Sequence, residues 1–345
     1  MRYLHIDDNI TPMKMKHRNT LLPVIVLLCV LAAGCKKKDD ETKFRYLTGL
    51  PTFSVPQYAT MNQTFTAKPA KVTNPDGGGY GYYWKTSWEN KNDTTKTVDS
   101  SSDGSYTFTT PSEIGEYTVT CVVFADGFST SSSRSTIYVI DTELGTTITD
   151  DGIAPAGPRM TDPRDGKVYY TTTVGGQTWM RQNLGYDGSG IPYLASTAMD
   201  HLFGRFYTWE EAKAACPDGW HLPTDAEWKE LAQTLSGGTF TEGKTYTDVA
   251  GKLMANAKFL GTRMWEYWPQ VDITNESGLS AIPVGYCVES GRSRFVGLNS
   301  YAAFWTADGS DGMGLYRYLY VDKNDLFAGR GDNDSFRTTV RCVKD

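Results

Sequence analysis

The chain has 345 residues, a formal net charge of −6 and 39% hydrophobic residues, enough for two ordinary domains with cores of their own. Its acidic balance, with no run of clustered cations beyond one short lysine stretch, argues against nucleic-acid binding, which needs such clusters to displace counterions. With only His5, His17, His201 and His221, it is poor in the commonest acid–base side chain.

Leu21 to Gly34 is apolar, broken only by Pro23, and Lys14, Lys16 and Arg18 precede it. That is the layout of a secretory leader, and the run is shorter than the ~20 residues a spanning helix needs. Asp7 and Asp8 fit such a leader poorly, which points to a start at Met13 or Met15. The run ends in Leu31-Ala32-Ala33-Gly34-Cys35, which resembles the lipobox of bacterial lipoproteins, although Ala32 stands where Leu is commonest. The resemblance implies cleavage after residue 34 and diacylation of Cys35, and two acyl chains anchor stably. Lys36-Lys37-Lys38-Asp39-Asp40-Glu41 reads as a solvated tether. It is also similar to the Lys-then-acidic signal that sends Bacteroidota lipoproteins to the outer face of the outer membrane. Residues 1–34 are therefore expected to be a leader and 35–43 a tether.

From Phe44 to Asp141 the composition is rich in Thr, Ser and Tyr. Tyr80 to Trp84, Ser105 to Thr109 and Tyr117 to Phe124 read as strands, and Arg134 to Ile140 as a closing one. Alternation places Tyr117, Val119, Cys121 and Val123 on one face. Turn clusters at Asn74-Pro75-Asp76-Gly77, Asp103-Gly104 and Asp126-Gly127 separate the strands, and short strands at this density predict an all-β sandwich. Tyr82 to Trp84, Phe108 to Pro111 and Gly115 to Val119 together resemble the PKD family of Ig-like domains. Cys121 reads as a buried thiol. Residues 142–157, with Gly, Thr, Asp and Pro and little apolar pattern, read as a linker.

The remainder is distinctive. Asp162 to Tyr169 precedes Val174-Gly-Gly-Gln177-Thr-Trp179, and Asn183-Leu184 follows. Then come Cys216-Pro217-Asp-Gly219-Trp220-His221-Leu222-Pro223-Thr224, Asn275 to Tyr286, Phe304-Trp305-Thr306-Ala307 and Val340-Arg341-Cys342-Val343. This series resembles the Fibrobacter succinogenes major paralogous domain over roughly 158–345, a family similar to C-type-lectin and sulfatase-modifying-factor folds. The residues point the same way. Thr208 with Glu211, and Thr224 with Glu227, spell two capping boxes. The first helix should carry Trp209, Ala212 and Cys216 on one face, and the second Trp228, Leu231, Ala232 and Leu235. A third is expected over Val249 to Leu260. With strands elsewhere this predicts an α+β, C-type-lectin-like domain after the Ig-like sandwich. In that fold the end of the first helix and the last strand are neighbours, so the resemblance implies a Cys216–Cys342 disulfide. Cys287 has no evident partner.

Several motifs carry less than they suggest. Gly238 to Thr245 matches the phosphate-loop pattern, but an amphipathic helix precedes it and Glu242 would stand among phosphates, so no nucleotide is expected. Leu222 to Trp228 resembles a helix of sulfatase-modifying oxidases, which use a close cysteine pair. Only Cys342 lies near the end of this chain, so the resemblance implies a shared fold alone. Asp308, Asp311, Asp322, Asp325, Asp332 and Asp334 match no calcium loop, and His221 reads as a hydrogen-bonded structural residue. The best ligand candidate is Trp265, Tyr267 and Trp268 beside Arg263, because flat rings stack on sugars or partner side chains. The expectation is a non-catalytic surface module with no metal or cofactor, binding a glycan or surface protein. The alternatives are a structural or fimbria-associated subunit and, disfavoured, an enzyme.

Overall fold

The computed structural model describes residues 44–88, 94–98, 104–150, 156–237 and 245–345. The leader, Cys35, the tether and most of the phosphate-loop-like stretch lie outside the described residues. Residues 44–345 form one compact unit.

The first part is a β-sandwich. Its strands are β1 (Tyr58–Thr60), β2 (Thr64–Ala67), β3 (Gly81–Trp88), β4 (Thr94–Val98), β5 (Tyr106–Thr109), β6 (Gly115–Phe124) and β7 (Ser131–Ile140). One sheet has the order β1-β7-β6-β3-β4, and β2 pairs with β5 in the other. Tyr117, Val119, Cys121 and Val123 are all buried, as the alternation of β6 requires. Trp84 on β3 pairs with Cys121, stacks on Tyr106 (5.4 Å) and donates its indole N–H to Gly104 O (3.0 Å). Burial pushes the Cys121 thiol up to about 12, so it packs as a small apolar side chain.

Residues 142–150 of the segment read as a linker are built into the fold. Ile148, fully buried, begins β8 (Ile148–Asp150), and the Thr147 hydroxyl exchanges hydrogen bonds with the backbone of Asp141 (2.6 and 2.9 Å). Tyr58, Ile140 and Ile148 share an apolar cluster with Tyr193, Phe203, Ala257 and Met264, and Ser196 Oγ donates to Tyr58 O (2.6 Å). The two halves therefore pack through a core and are not joined by a free tether.

The second part is mostly strand. It opens with β9 (Arg159–Thr161), β10 (Val168–Val174) and β11 (Gln177–Met180), followed by α1 (Asp200–Phe203) and α2 (Trp209–Lys213). Next come β12 (Trp220–His221), α3 (Asp225–Leu235), α4 (Ala250–Leu253), β13 (Ala257–Phe259) and β14 (Thr262–Arg263). It closes with β15 (Tyr286–Glu289), β16 (Ser293–Val296), β17 (Tyr301–Ser310), β18 (Met313–Tyr320), β19 (Phe327–Asp332), β20 (Phe336–Arg337) and β21 (Val343–Lys344). The sheets run β12-β21-β11-β10-β9, β14-β13-β8, β16-β15-β20 and β17-β18-β19.

Both capping boxes form as spelled, Thr208 with Glu211 and Thr224 with Glu227. The helix that opens at Trp209, α2, stops at Lys213, so Cys216 lies beyond it, in the turn before Pro217. The long third helix does not form. Val249, Ala250, Leu253, Met254, Ala255 and Ala257 are all buried, and such a largely apolar run fits strand or helix alike. After Leu253 the backbone extends, because residues 257–259 pair with both β8 and β14. At the core Trp228 of α3 meets Trp179 of β11 (4.7 Å) and stacks on Phe304 of β17 (5.4 Å).

Candidate functional site

The hairpin β13–β14 turns through Leu260 and Gly261, both at positive φ (48° and 76°), the combination a tight two-residue hairpin requires. The chain leaving β14 is pinned by Met264, whose N–H donates to Ala257 O (2.9 Å), and by Trp265, whose indole N–H donates to Ala281 O (3.1 Å). Both residues are only 1% exposed. Trp265 is thus a core side chain and leaves the expected ligand platform.

What remains is smaller and better defined. Tyr267 projects outward, 74% exposed, with the Arg263 guanidinium 5.9 Å from its ring centre. Trp268 is half-buried against the core, and its indole N–H is shielded from water with no hydrogen-bond partner among the described residues. Arg263, Glu266, Tyr267, Trp268, Asn256 and Asp272 line a cavity of about 240 Å³. That is smaller than a drug-sized pocket of ~300–1,000 Å³. A guanidinium, two carboxyls and an amide beside two rings can bracket a hydroxyl-rich ligand or a short polar side chain.

Asn256 and Asp272 were missed from sequence. Each stands alone in its stretch, and nothing marks which residues α4 and the following loop bring beside the hairpin. Asp272 is placed by Gly251 of α4, whose Cα lies so close to the Asp272 carbonyl that a Cβ would come within 2.0 Å of that oxygen.

The other singled-out residues do structural work. His221 sits between Asp345 Oδ1 (2.6 Å) and Glu227 Oε1 (2.8 Å). Burial alone would lower its pKa, but the hydrogen bonds and charges of Asp345 and Glu227 outweigh that and raise it. Partial burial would raise Glu227, yet Thr224 and His221 together hold it low. Asp162 is held low by Arg164 against the effect of burial, while burial raises Asp200 despite Arg205. Neither lines the cavity. Arg341 is fully buried and donates to Asn183 Oδ1 (2.7 Å), to the carbonyls of Met180 (3.2 Å) and Ser280 (3.3 Å), and to that of Leu279. Desolvation lowers it to about 9.

Cys216 and Cys342 are bridged, with Cα atoms 5.9 Å apart, so the Cys342 thiol is not available for oxidase-type chemistry. Cys287 is buried, and burial raises its pKa. Among the aspartates near the end, Asp308 accepts from the N–H of Asp225 (2.6 Å) at the start of α3, and Asp332 from those of Asp334 (2.8 Å) and Ser335 (3.2 Å). Among the described residues no group of three His, Cys, Asp or Glu is placed to hold a metal ion.

With this geometry in place the family can be stated. A model of the Fibrobacter succinogenes major domain matches residues 172–344. The chain belongs to that family. The match begins within β10 and runs to the end of β21, so it contains the whole cavity and the disulfide. Among solved structures, the FN1–FN3 domains of chicken CNTN1 align at 16% identity over 40% of this chain, with a TM-score of 0.22. This chain spans 43% of that one. The Yersinia pseudotuberculosis adhesin InvE aligns at 12% identity over 87% of this chain and 70% of its own, with a TM-score of 0.25. No curated protein matches.

Proposed function

We propose that this chain is an outer-membrane lipoprotein, anchored through Cys35 and facing the cell exterior, whose C-terminal module binds a glycan or a surface protein without catalysis. The leader and lipobox-like residues support the anchor, and no helix among the described residues is long and apolar enough to cross a membrane. Two capped helices, a mostly strand remainder and the bridge from beyond α2 to the foot of β21 support a C-type-lectin-like module. The observation that carries the binding role is the small cavity lined by Tyr267, Trp268 and Arg263, with mixed charges in its wall. Buried aromatic and arginine anchors dominate recognition energetics.

The test is a glycan array probed with residues 44–345, the compact unit, beside Tyr267→Ala and Arg263→Ala variants. Binding that both substitutions abolish, with melting unchanged, supports the site. Binding that survives both removes the cavity from the account.

A second reading, a structural or fimbria-associated subunit, is favoured by one observation. Among the described residues β7 is paired on its outer side only at Tyr138–Ile140, by β1, so Ser131–Ile137 has a strand neighbour on one side only. An open edge can accept a strand from another chain. Co-purification of filaments with the native protein, lost on Arg134→Pro, whose N–H faces the open edge, would favour that reading.

A further inference from the structure

Among the described residues only four large apolar or aromatic side chains are more than half exposed, and three fall together: Phe44 (77%), Tyr46 (58%) and Leu50 (57%). They are the first residues of the compact unit, and their segment is fixed. Arg45 O accepts from Ser129 N–H (2.7 Å), and Thr48 exchanges both backbone hydrogen bonds with Thr73 (2.8 and 2.9 Å). Extended chain alternates sides, so Leu47 is buried while Phe44, Tyr46 and Thr48 point the other way, and Leu50, past the bend at Gly49 (φ 92°), is exposed as well. The one charge in the stripe turns away from it: Arg45 pairs with Asp76 and lies over the Phe128 ring (4.5 Å). Exposed Lys71 lies on the segment that backs Gly49.

Chain length says what covers this stripe. Residues 36–43 alone separate it from Cys35, and an extended chain of that length reaches at most about 30 Å. Acyl chains at Cys35 keep Phe44 within that distance of a lipid surface throughout. Phe, Tyr and Leu flanked by Lys is the side-chain set that settles at the boundary between headgroups and acyl chains, the lysine meeting anionic headgroups.

We infer that Phe44, Tyr46 and Leu50 form a membrane-docking stripe, which seats the sandwich on an anionic lipid surface and leaves the binding cavity on a unit of fixed orientation. This rests on the anchored reading above. The experiment uses the lipidated full-length chain with Leu50→Cys carrying an environment-sensitive fluorophore, in vesicles of phosphatidylethanolamine and phosphatidylglycerol. A second chain carries the same label at exposed Ser293→Cys. Docking predicts a blue-shifted emission at position 50 that brominated lipid quenches, with position 293 solvent-like. A solvent-like label at position 50 on protein that floats with the vesicles overturns docking and leaves the anchor standing. Protein that does not float overturns the anchor and the docking together.

Discussion

Opening the Cys216–Cys342 bridge tests how the C-terminal module is held closed. The two cysteines are 126 positions apart. In the chain-entropy picture a crosslink over that distance restricts the unfolded chain by about 5 kcal/mol, and measured values run lower, about 2–5 kcal/mol. The native state should lose little. Cys342 is fully buried beside Ala212, Ala215, Leu222 and Val340, and Cys216 packs on the same cluster, apolar surroundings that suit a free thiol. The effect should therefore sit in the unfolded chain. Guanidinium unfolding of residues 44–345, followed by tryptophan emission, should show a loss of about 2–5 kcal/mol for the Cys216→Ala/Cys342→Ala pair. The slope with denaturant should also steepen, because the uncrosslinked chain exposes more surface. A loss below about 1 kcal/mol with an unchanged slope would refute the entropic reasoning.

Three further outcomes follow from the same packing. His221 has a raised folded pKa, so its stabilisation is complete below its unfolded value of about 6.5 and is lost as pH rises through the folded one. Glu227 is held low, so its share is lost only as pH falls through its depressed folded value. The melting gap between wild type and His221→Gln should be widest near pH ~5–6 and close on the alkaline side. With the ring 38% exposed, the gap is worth less than about 1 kcal/mol; a gap that widens with rising pH contradicts the arrangement. Gly251→Ala drives a Cβ to 2.0 Å from the Asp272 carbonyl, so it should cost about 1–3 kcal/mol and weaken ligand binding by displacing the cavity wall. An unchanged melting temperature would count against this. Trp265→Ala should cost about 3–5 kcal/mol as a core truncation. Tyr267→Ala should change stability by no more than about 0.5 kcal/mol yet remove binding; the reverse pattern in melting and binding assays would exchange their roles.

The sequence was most readable where one local rule decides the structure. Both capping boxes and the inward face of β6 depend on residues within a few positions of one another. It was least readable where distant segments compete. Residues 249–260 are apolar enough for a helix, and what turns 257–259 into strand is pairing with residues 148–150, more than a hundred positions earlier. The same pairing turned an apparent linker into part of the core. Trp265, Tyr267 and Trp268 look alike in sequence. Which of them faces out is set by an acceptor at Ala281 that takes the Trp265 indole, a contact no local pattern records.

The residues that hold the core of the second half are not the ones that would choose a ligand. Trp179 and Trp228 form the core pair, and His221 and Glu227 tie the second helix to the last residue. Asn183, Leu279 and Ser280 converge on the Arg341 guanidinium, which has four acceptors around it and no carboxylate. A buried cation satisfied only by neutral acceptors is costly to form and costly to disturb, since removing it orphans every one of them. Such a hub fixes where β11, β21 and the loop before β15 meet, and it leaves no side chain over for a partner. The cavity draws instead on Asn256, just before β13, and on Arg263, Glu266, Tyr267, Trp268 and Asp272, between β13 and β15. Exchanging Asn256 and residues 263–272 between two members of the family, with Leu279 and Ser280 left in place, should therefore move ligand choice while keeping the Arg341 hub.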